Sequence, residues 1–173
     1  NNLDFGDDRS GGYTTGWVGL TGTASIVNST IRNGSNNNIL IRSLDAAGGT
    51  LNLTMSGSVI SGNAANSFMN DGILMESGQT ANLNATITGN FFSASKGDHF
   101  QMAALNSGDF NVSLVNNTFT GGHATALGQG VTINAATGVA FGGYTGSGVY
   151  DISGNVFNGA ISNSVTAALG TSG

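Results

Sequence analysis

A repeat of about 30 residues, alternating apolar runs within each repeat and a near absence of charge together predict an all-β fold. The predicted architecture is a right-handed parallel β-helix, a solenoid of about five coils with 27–38 residues per coil. Charged residues make up only 8 % of the 173 residues. Stacking explains this scarcity, because like charges at equivalent positions of neighbouring coils would lie only ~4.8 Å apart and repel each other.

Five short segments mark the repeat, and each has a small polar pair followed by a branched or aromatic residue. They begin at Asn28, Gly57, Gly89, Asn116 and Gly154, which lie 29, 32, 27 and 38 residues apart. The longest spacing leaves room for a Gly-rich loop insertion at about 138–148. The second residues of the pairs predict an internal or turn ladder of stacked polar side chains: Ser29, Ser58, Asn90, Asn117 and Asn155.

Apolar residues at every second position before the anchors predict strands with one buried face. These runs are Leu51-x-Leu53-x-Met55, Leu83-x-Ala85-x-Ile87, Phe110-x-Val112-x-Leu114 and Tyr150-x-Ile152. A second strand follows each polar turn, at Ile39, Ile73, Phe100, Val131 and Val165. An antiparallel sandwich or barrel is the alternative, but matching residues at matching phases favour the solenoid. Two inward columns are predicted: Leu53, Ala85 and Val112 in one, and Ile73, Phe100 and Val131 in the other.

Residues 1–23 are expected to form a partial first coil with an irregular capping loop, and residues 24–173 the remaining coils. Trp17 and Tyr13 are candidates to cover the first coil. The first apolar pair, Leu3-x-Phe5, has the phase of Ile39-x-Ile41, and Val165-Thr-Ala167 shares it. Since an uncovered coil exposes unpaired backbone groups, we expect further repeats of the same polypeptide or end-to-end self-association at the last coil.

Composition excludes several classes of partner. The net charge is −5 with only four Lys and Arg residues, which argues against nucleic acid or an anionic membrane. The chain has no Cys, so disulfides and thiolate metal sites are excluded. No apolar run approaches the ~18 residues of a membrane span, so membrane insertion is not expected.

Three repeated phrases carry a family resemblance: Ile87-Thr-Gly-Asn-Phe-Phe92, Val115-Asn-Asn-Thr-Phe119 and Ile152-Ser-Gly-Asn-Val-Phe157. With runs such as Gly72-Ile-Leu-Met75 and Gly130-Val-Thr-Ile133, they resemble the parallel β-helix repeats of pectate-lyase-like proteins. More closely, they are similar to the β-strand-repeat regions of very large bacterial surface proteins, over most of residues 20–170. The resemblance implies the fold and an extracellular or cell-surface location. It leaves the function open, because the same helix carries lyases, hydrolases, adhesins and passive stalks.

Two groups of carboxylates are candidate Ca²⁺ sites, since close carboxylates share either a proton or a cation. One group is Asp4, Asp7 and Asp8. The other is Asp71 and Asp98, which belong to a predicted turn column: Asn37, Asp71, Asp98, Gln129 and Asn163. The alternative for both groups is a solvated turn. In the turn column, the side chains would then cap backbone N–H groups. We expect no cofactor, with Ca²⁺ as the alternative.

Catalysis is not expected. His99 lies beside Asp98, with Lys96 nearby, which is a combination that polysaccharide cleavage would use. The other basic side chains are too few to complete such a site: Arg9, Arg32 and Arg42. His99 and His123 are interpreted as polar surface residues. Arg42 and Glu76 have matching phases, which predicts an exposed ion pair between coils.

One outward face is regular enough to act as a binding surface. Its candidate residues repeat over three coils: Asn52, Thr54, Asn84, Thr86, Asn111 and Ser113. A flat array of hydroxyl and amide groups suits a glycan or an ice lattice. The predicted function is a structural or adhesive solenoid segment of a bacterial extracellular or cell-surface protein, a rigid rod with a repetitive polar face. The alternatives are a carbohydrate-binding or polysaccharide-cleaving module and an ice-binding array.

Overall fold

The computed structural model of the chain describes residues 2–5, 20–43, 48–62, 70–121, 123, 128–135, 144–159 and 162–169. These residues contain strands and turns, and none of them is helical. The strands are β1 (Leu3–Phe5), β2 (Gly22–Val27), β3 (Thr30–Arg32), β4 (Ile39–Ser43), β5 (Gly49–Ser56), β6 (Val59–Ser61), β7 (Ile73–Ser77), β8 (Ala81–Thr88), β9 (Phe91–Ser93), β10 (Phe100–Ala104), β11 (Asp109–Val115), β12 (Thr118–Thr120), β13 (Val131–Ala135), β14 (Gly148–Ser153), β15 (Val156–Asn158) and β16 (Val165–Leu169).

The strands form three parallel sheets. Sheet A has six strands in the order β1-β4-β7-β10-β13-β16, sheet B has five in the order β14-β11-β8-β5-β2, and sheet C has five in the order β15-β12-β9-β6-β3. Each strand therefore pairs with the equivalent strand one turn of the chain away. This connectivity confirms the predicted parallel β-helix of about five coils.

The register confirms both predicted inward columns. Leu53 lies opposite Ala85, which lies opposite Val112, in sheet B. In sheet A, Phe100 lies between Ile73 and Val131. All six side chains are buried, as alternation along a strand requires when one face packs on the core.

The corner between sheets B and C is a tight turn with one left-handed residue in every coil. The five residues at this position have φ between 48° and 64°: Asn28, Gly57, Gly89, Asn116 and Gly154. Glycine adopts this conformation without steric cost, and asparagine tolerates it better than most residues. This requirement explains why the repeat begins with Gly or Asn each time.

Next to this corner, an aromatic stack covers the inward face of sheet C. The ring of Phe119 lies 4.8 Å from that of Phe92 and 5.0 Å from that of Phe157, with the planes nearly parallel. These three residues occupy one column with Ile31 and Ile60, so successive coils add one side chain each to the stack.

Some predicted features lie outside the described residues. Trp17 and Tyr13, in the predicted capping loop, are among them, as are residues 138–143 of the predicted loop insertion. The strand predicted at the start of the chain is confirmed as β1, with Leu3 opposite Ile39 and Phe5 opposite Ile41. Where the structure describes the chain, it contains no helix that is long and apolar enough to cross a membrane.

Candidate functional site

The predicted polar column after the left-handed residue is an internal ladder, which we call the amide ladder: Ser29, Ser58, Asn90, Asn117 and Asn155. Each backbone N–H donates to the side-chain oxygen of the next coil. The Ser58 N–H donates to Asn90 Oδ1 at 2.9 Å, and the Asn90 N–H donates to Asn117 Oδ1 at 2.9 Å. The series ends with the Asn117 N–H, which donates to Asn155 Oδ1 at 2.8 Å.

The amide nitrogens of this ladder are also satisfied. Asn117 Nδ2 donates to the Ile87 carbonyl at 2.8 Å, and Asn155 Nδ2 donates to the Leu114 carbonyl at 2.7 Å. Asn90 and Asn117 are buried. Buried polar side chains are normally hydrogen-bonded, and the Asn117 amide bonds Ile87 of the preceding coil and Asn155 of the following coil.

The turn column before sheet A forms a second ladder, which we call the acidic ladder: Asn37, Asp71, Asp98 and Gln129. Here the N–H of the later coil donates back to the side chain of the earlier coil. Asp71 N–H donates to Asn37 Oδ1 at 3.1 Å, and Asp98 N–H donates to Asp71 Oδ1 at 2.8 Å. The Gln129 N–H in turn donates to the Asp98 carboxylate. The predicted capping of backbone N–H groups is therefore confirmed.

The prediction that this turn is solvated is wrong. Asp71 is only 2 % exposed and Asp98 is 8 % exposed. The turn of the next coil lies directly on the carboxylate, since a Cβ added to Gly97 would meet Asp71 Oδ1 at 2.4 Å. Asn70 Nδ2 covers the other oxygen of Asp71 at 2.9 Å.

Burial changes the chemistry of these carboxyl groups. It raises the pKa of Asp71 from 3.8 to about 7; the Asp98 N–H hydrogen bond opposes this and the charge of Asp98 adds to it. Burial also raises the pKa of Asp98, against hydrogen bonds from the Thr132 hydroxyl and the Gln129 N–H. At neutral pH the acidic ladder therefore contains a carboxyl group that is close to its titration midpoint.

Neither group of carboxylates assembles a cation site from the side chains that the structure describes. No cluster of three or more His, Cys, Asp or Glu residues occurs among the described residues. Asp4 lies on the outward side of β1, while Asp7 and Asp8 lie outside the described residues. Ca²⁺ binding stays a prediction.

The prediction that both histidines are surface residues is wrong. His99 is 1 % exposed and His123 is 8 % exposed. The His99 ring lies 6.2 Å from the Phe119 ring, and its Nδ1 is 3.1 Å from Ser95 Oγ. Burial lowers the pKa of His99 to about 4, although a hydrogen bond to the backbone of Thr120 opposes the shift. His99 is thus a neutral side chain of the core near neutral pH.

The predicted pair of Arg42 and Glu76 is confirmed, but its predicted exposure is wrong. The residues lie opposite each other on β4 and β7, with Arg42 Nε 2.7 Å from Glu76 Oε2. The two side chains are 16 % and 6 % exposed. Burial makes this pair costly to break from one side, because the remaining charge would have no compensation.

The candidate ligand face follows the predicted register on sheet B. Asn84 lies between Asn52 and Asn111, and Thr86 lies between Thr54 and Ser113. Asn84 Nδ2 donates to Asn52 Oδ1 at 2.9 Å, so the amides of neighbouring coils are linked on this face. The array changes at β14, where Val149 follows the Asn column and Asp151 the Thr column.

A groove of about 290 Å³ lies on this face. It is lined by Thr50, Asn82, Asn84, Asp109, Phe110, Asn111, Ser147 and Val149. Half of these residues form a second outward column that the sequence analysis did not single out: Thr50, Asn82, Asp109 and Ser147. The signal for it was present, because three of these residues stand two positions before a member of the Asn column and Ser147 stands two before Val149.

Comparison with known proteins gives no match to a family model, to a curated protein or to a solved structure.

Proposed function

We propose that this chain is a structural segment of a bacterial extracellular or cell-surface protein, a rigid rod that spaces other parts of the molecule and presents a polar face. The observation that carries the proposal is the pair of ladders. Side-chain oxygens join successive coils through backbone N–H groups at two separate turns of the coil. Such cross-links resist bending and twisting between coils, which is the property a spacer needs.

The proposed location rests on the resemblance to repeat regions of bacterial surface proteins and on the side-chain composition. The exposed residues of sheet B carry hydroxyl and amide groups, with few charges, in columns that repeat from coil to coil. The proposal does not include catalysis. The acidic groups that a cleaving enzyme would use are buried and hydrogen-bonded to backbone N–H groups at Asp71 and Asp98.

Rigidity is tested by a spin-label distance measurement. The chain has no native Cys, so the double variant Thr23→Cys/Val149→Cys takes two labels at chosen sites. Both sites belong to one outward column, on β2 and β14, and are four strand spacings apart, about 19 Å between Cα atoms. We expect one narrow distance distribution. The pair Ser25→Cys/Asp151→Cys is a second, matched measurement, because it spans the same four spacings in the adjacent outward column. The same narrow distribution is expected for it.

A broad or multiple distance distribution for both pairs would contradict the rigid rod.

A separate assay addresses catalysis. Incubation with polygalacturonate and with alginate is expected to release neither unsaturated nor reducing ends. Release that disappears in Asp98→Asn would overturn the non-enzymatic proposal.

A carbohydrate-binding module is the second candidate, and the groove on sheet B favours it. The groove combines amide, hydroxyl and carboxylate side chains with one exposed apolar side chain, that of Val149. The ice-binding alternative has less support, because Val149 and Asp151 interrupt the hydroxyl and amide columns at β14.

A further inference from the structure

The groove runs along the axis of the rod. One wall is the outward column Thr50, Asn82, Asp109 and Ser147, and the other is the column Asn84, Asn111 and Val149. From β5 to β14 it crosses three strand spacings, about 14 Å. A ligand that fits this shape is a short linear chain that lies parallel to the axis and crosses several coils.

Between the two walls lies strand backbone, and the side chains at the intervening positions face the core: Leu51, Leu83 and Phe110 are buried. Phe110 occupies the position between the two walls, and its partner in the next coil is Gly148. A Cβ added to Gly148 would lie 2.3 Å from the Phe110 ring, so the ring extends into space that a side chain fills in the earlier coils. The ring is 3 % exposed and belongs to the core, so Val149, which is 59 % exposed, is the apolar side chain that the groove presents.

The charge of the groove selects against anions. Asp109 is the only charged residue among those that line it, and its Oδ1 accepts a hydrogen bond from the Ser147 N–H at 2.6 Å. A phosphate, sulfate or uronate would therefore approach a carboxylate without a basic residue in the lining to balance it. Neutral ligands with many hydroxyl groups suit the donors and acceptors of Asn, Thr, Ser and Asp.

The position of the groove also argues against an extended peptide. Peptides that add to sheets use unpaired backbone groups at an edge. The groove lies on the face of β8 and β11, and both strands are paired on their two sides. Recognition in this groove must come from side chains, and a pyranose ring offers what they can bind: apolar faces and a rim of hydroxyl groups.

We propose that this groove binds a neutral linear oligosaccharide parallel to the rod axis, with Asn82, Asn84, Asp109 and Asn111 as its hydrogen-bonding residues. The inference rests on the proposed presentation of a polar face, and it assigns that face a ligand class. It also narrows the predicted array, since Thr54, Thr86 and Ser113 lie outside the groove.

The test is isothermal titration calorimetry with linear hexasaccharides: β-1,4-glucan, β-1,4-mannan, β-1,4-xylan, β-1,4-N-acetylglucosamine and α-1,4-galacturonate. We expect at least one neutral hexasaccharide to bind and the galacturonate not to bind. Asn84→Ala/Asn111→Ala is expected to weaken binding by about tenfold or more, as the loss of two hydrogen bonds predicts. Thr88→Ala/Val115→Ala is the matched control, four residues further along the same two strands, and is expected to leave the affinity unchanged.

A second variant tests the charge argument. Asp109→Asn removes the carboxylate and is expected to admit the galacturonate hexasaccharide. Circular dichroism and melting temperature establish that each variant is folded. Failure of every neutral hexasaccharide to bind at millimolar concentration would overturn the proposal, and so would preferred binding of galacturonate to the unmodified protein. An equal loss of affinity in the control variant, or binding of an extended peptide in place of sugars, would also overturn it. None of these results alters the spin-label distances, so the proposed rigid rod and the proposed oligosaccharide binding are tested independently.

Discussion

The amide ladder and the acidic ladder solve the same structural problem with different chemistry. Both use a side-chain oxygen to accept the backbone N–H of the equivalent residue one coil away. In the amide ladder the oxygen of the later coil accepts, as Asn117 does for Asn90, and in the acidic ladder the oxygen of the earlier coil accepts, as Asp71 does for Asp98. The two rows of hydrogen bonds therefore point in opposite directions along the rod.

The stability of the two ladders depends on pH in different ways. An amide offers a donor and an acceptor, so Asn117 accepts from Asn90 of the preceding coil, donates to Asn155 of the following coil and remains neutral. A carboxylate offers only acceptors and carries a charge that burial disfavours. We expect the amide ladder to be insensitive to pH and the acidic ladder to weaken or strengthen with the ionisation of Asp71.

The largest effect is expected from breaking the amide ladder. Asn117→Ala removes the acceptor of the Asn90 N–H and the donor to the Ile87 carbonyl, both buried. We expect a loss of about 3–5 kcal/mol, because two buried backbone groups lose their partners and a cavity forms. Urea denaturation measures it, and the loss is expected to be equal at pH 5 and pH 8. Asn111→Ala, an exposed Asn in the preceding strand, is the control, and a similar cost there would contradict the role of the ladder.

An effect of opposite sign is expected from Asp71→Asn. The folded pKa of Asp71 is about 7 and its ordinary value is 3.8, so the folded state holds the proton more tightly. The contribution of Asp71 to stability is therefore complete below about pH 4 and declines as pH rises towards 7. The Asn variant avoids this decline, and we expect it to gain roughly 2–3 kcal/mol over the unmodified protein between pH 5 and pH 8.

Thermal melting at the two pH values measures this gain. The comparison at pH 5 is the internal control, because the protonated carboxyl group and the amide are both neutral there. A destabilised variant at pH 8 would show that the ladder needs the negative charge of Asp71, and it would contradict the expected gain in stability.

A smaller effect of opposite pH dependence is expected at His99. Its pKa is about 4 in the folded protein and 6.5 ordinarily, so its contribution is complete above pH 6.5 and is lost as pH falls towards 4. Asn38 occupies the position equivalent to His99 in an earlier coil, so His99→Asn introduces a residue that this position already accepts. The variant has no titrating ring, so this decline is absent. We expect the stability advantage of the unmodified protein to shrink by about 2 kcal/mol between pH 7 and pH 5. An advantage that is constant across this interval would contradict the buried neutral ring.

The strands and both polar columns could be predicted from the sequence, whereas the environment of the turns could not. Alternation assigns Leu53 or Phe100 to the core because a strand has a period of two. The turn residues Asp98 and His99 follow no such period, and both are buried although they are consecutive. Their burial depends on the next coil lying on them, as Gly97 lies on Asp71, and this contact follows from the shape of the turn.

The same limit applies to the outward face of sheet A and to the groove. Leu40 and Glu76 point away from the core in their strands and are nevertheless buried. Alternation gives the direction of a side chain but does not show whether other parts of the chain cover it. Beneath the groove, the Phe110 ring occupies the space that Gly148 leaves open. The anchors predicted the 38-residue spacing of this pair, but not where the ring lies.

A pH titration of the backbone amides by ¹⁵N–¹H NMR distinguishes the acidic ladder from the amide ladder. The Asp98 N–H donates to the carboxylate of Asp71, and the Asn90 N–H donates to the neutral amide of Asn117. We expect the Asp98 resonance to shift with a midpoint near pH 7, because the pKa of Asp71 is about 7, and the Asn90 resonance to stay constant. An Asp98 resonance that does not shift near pH 7, or an Asn90 resonance that shifts with the same midpoint, would contradict the distinction between the two ladders.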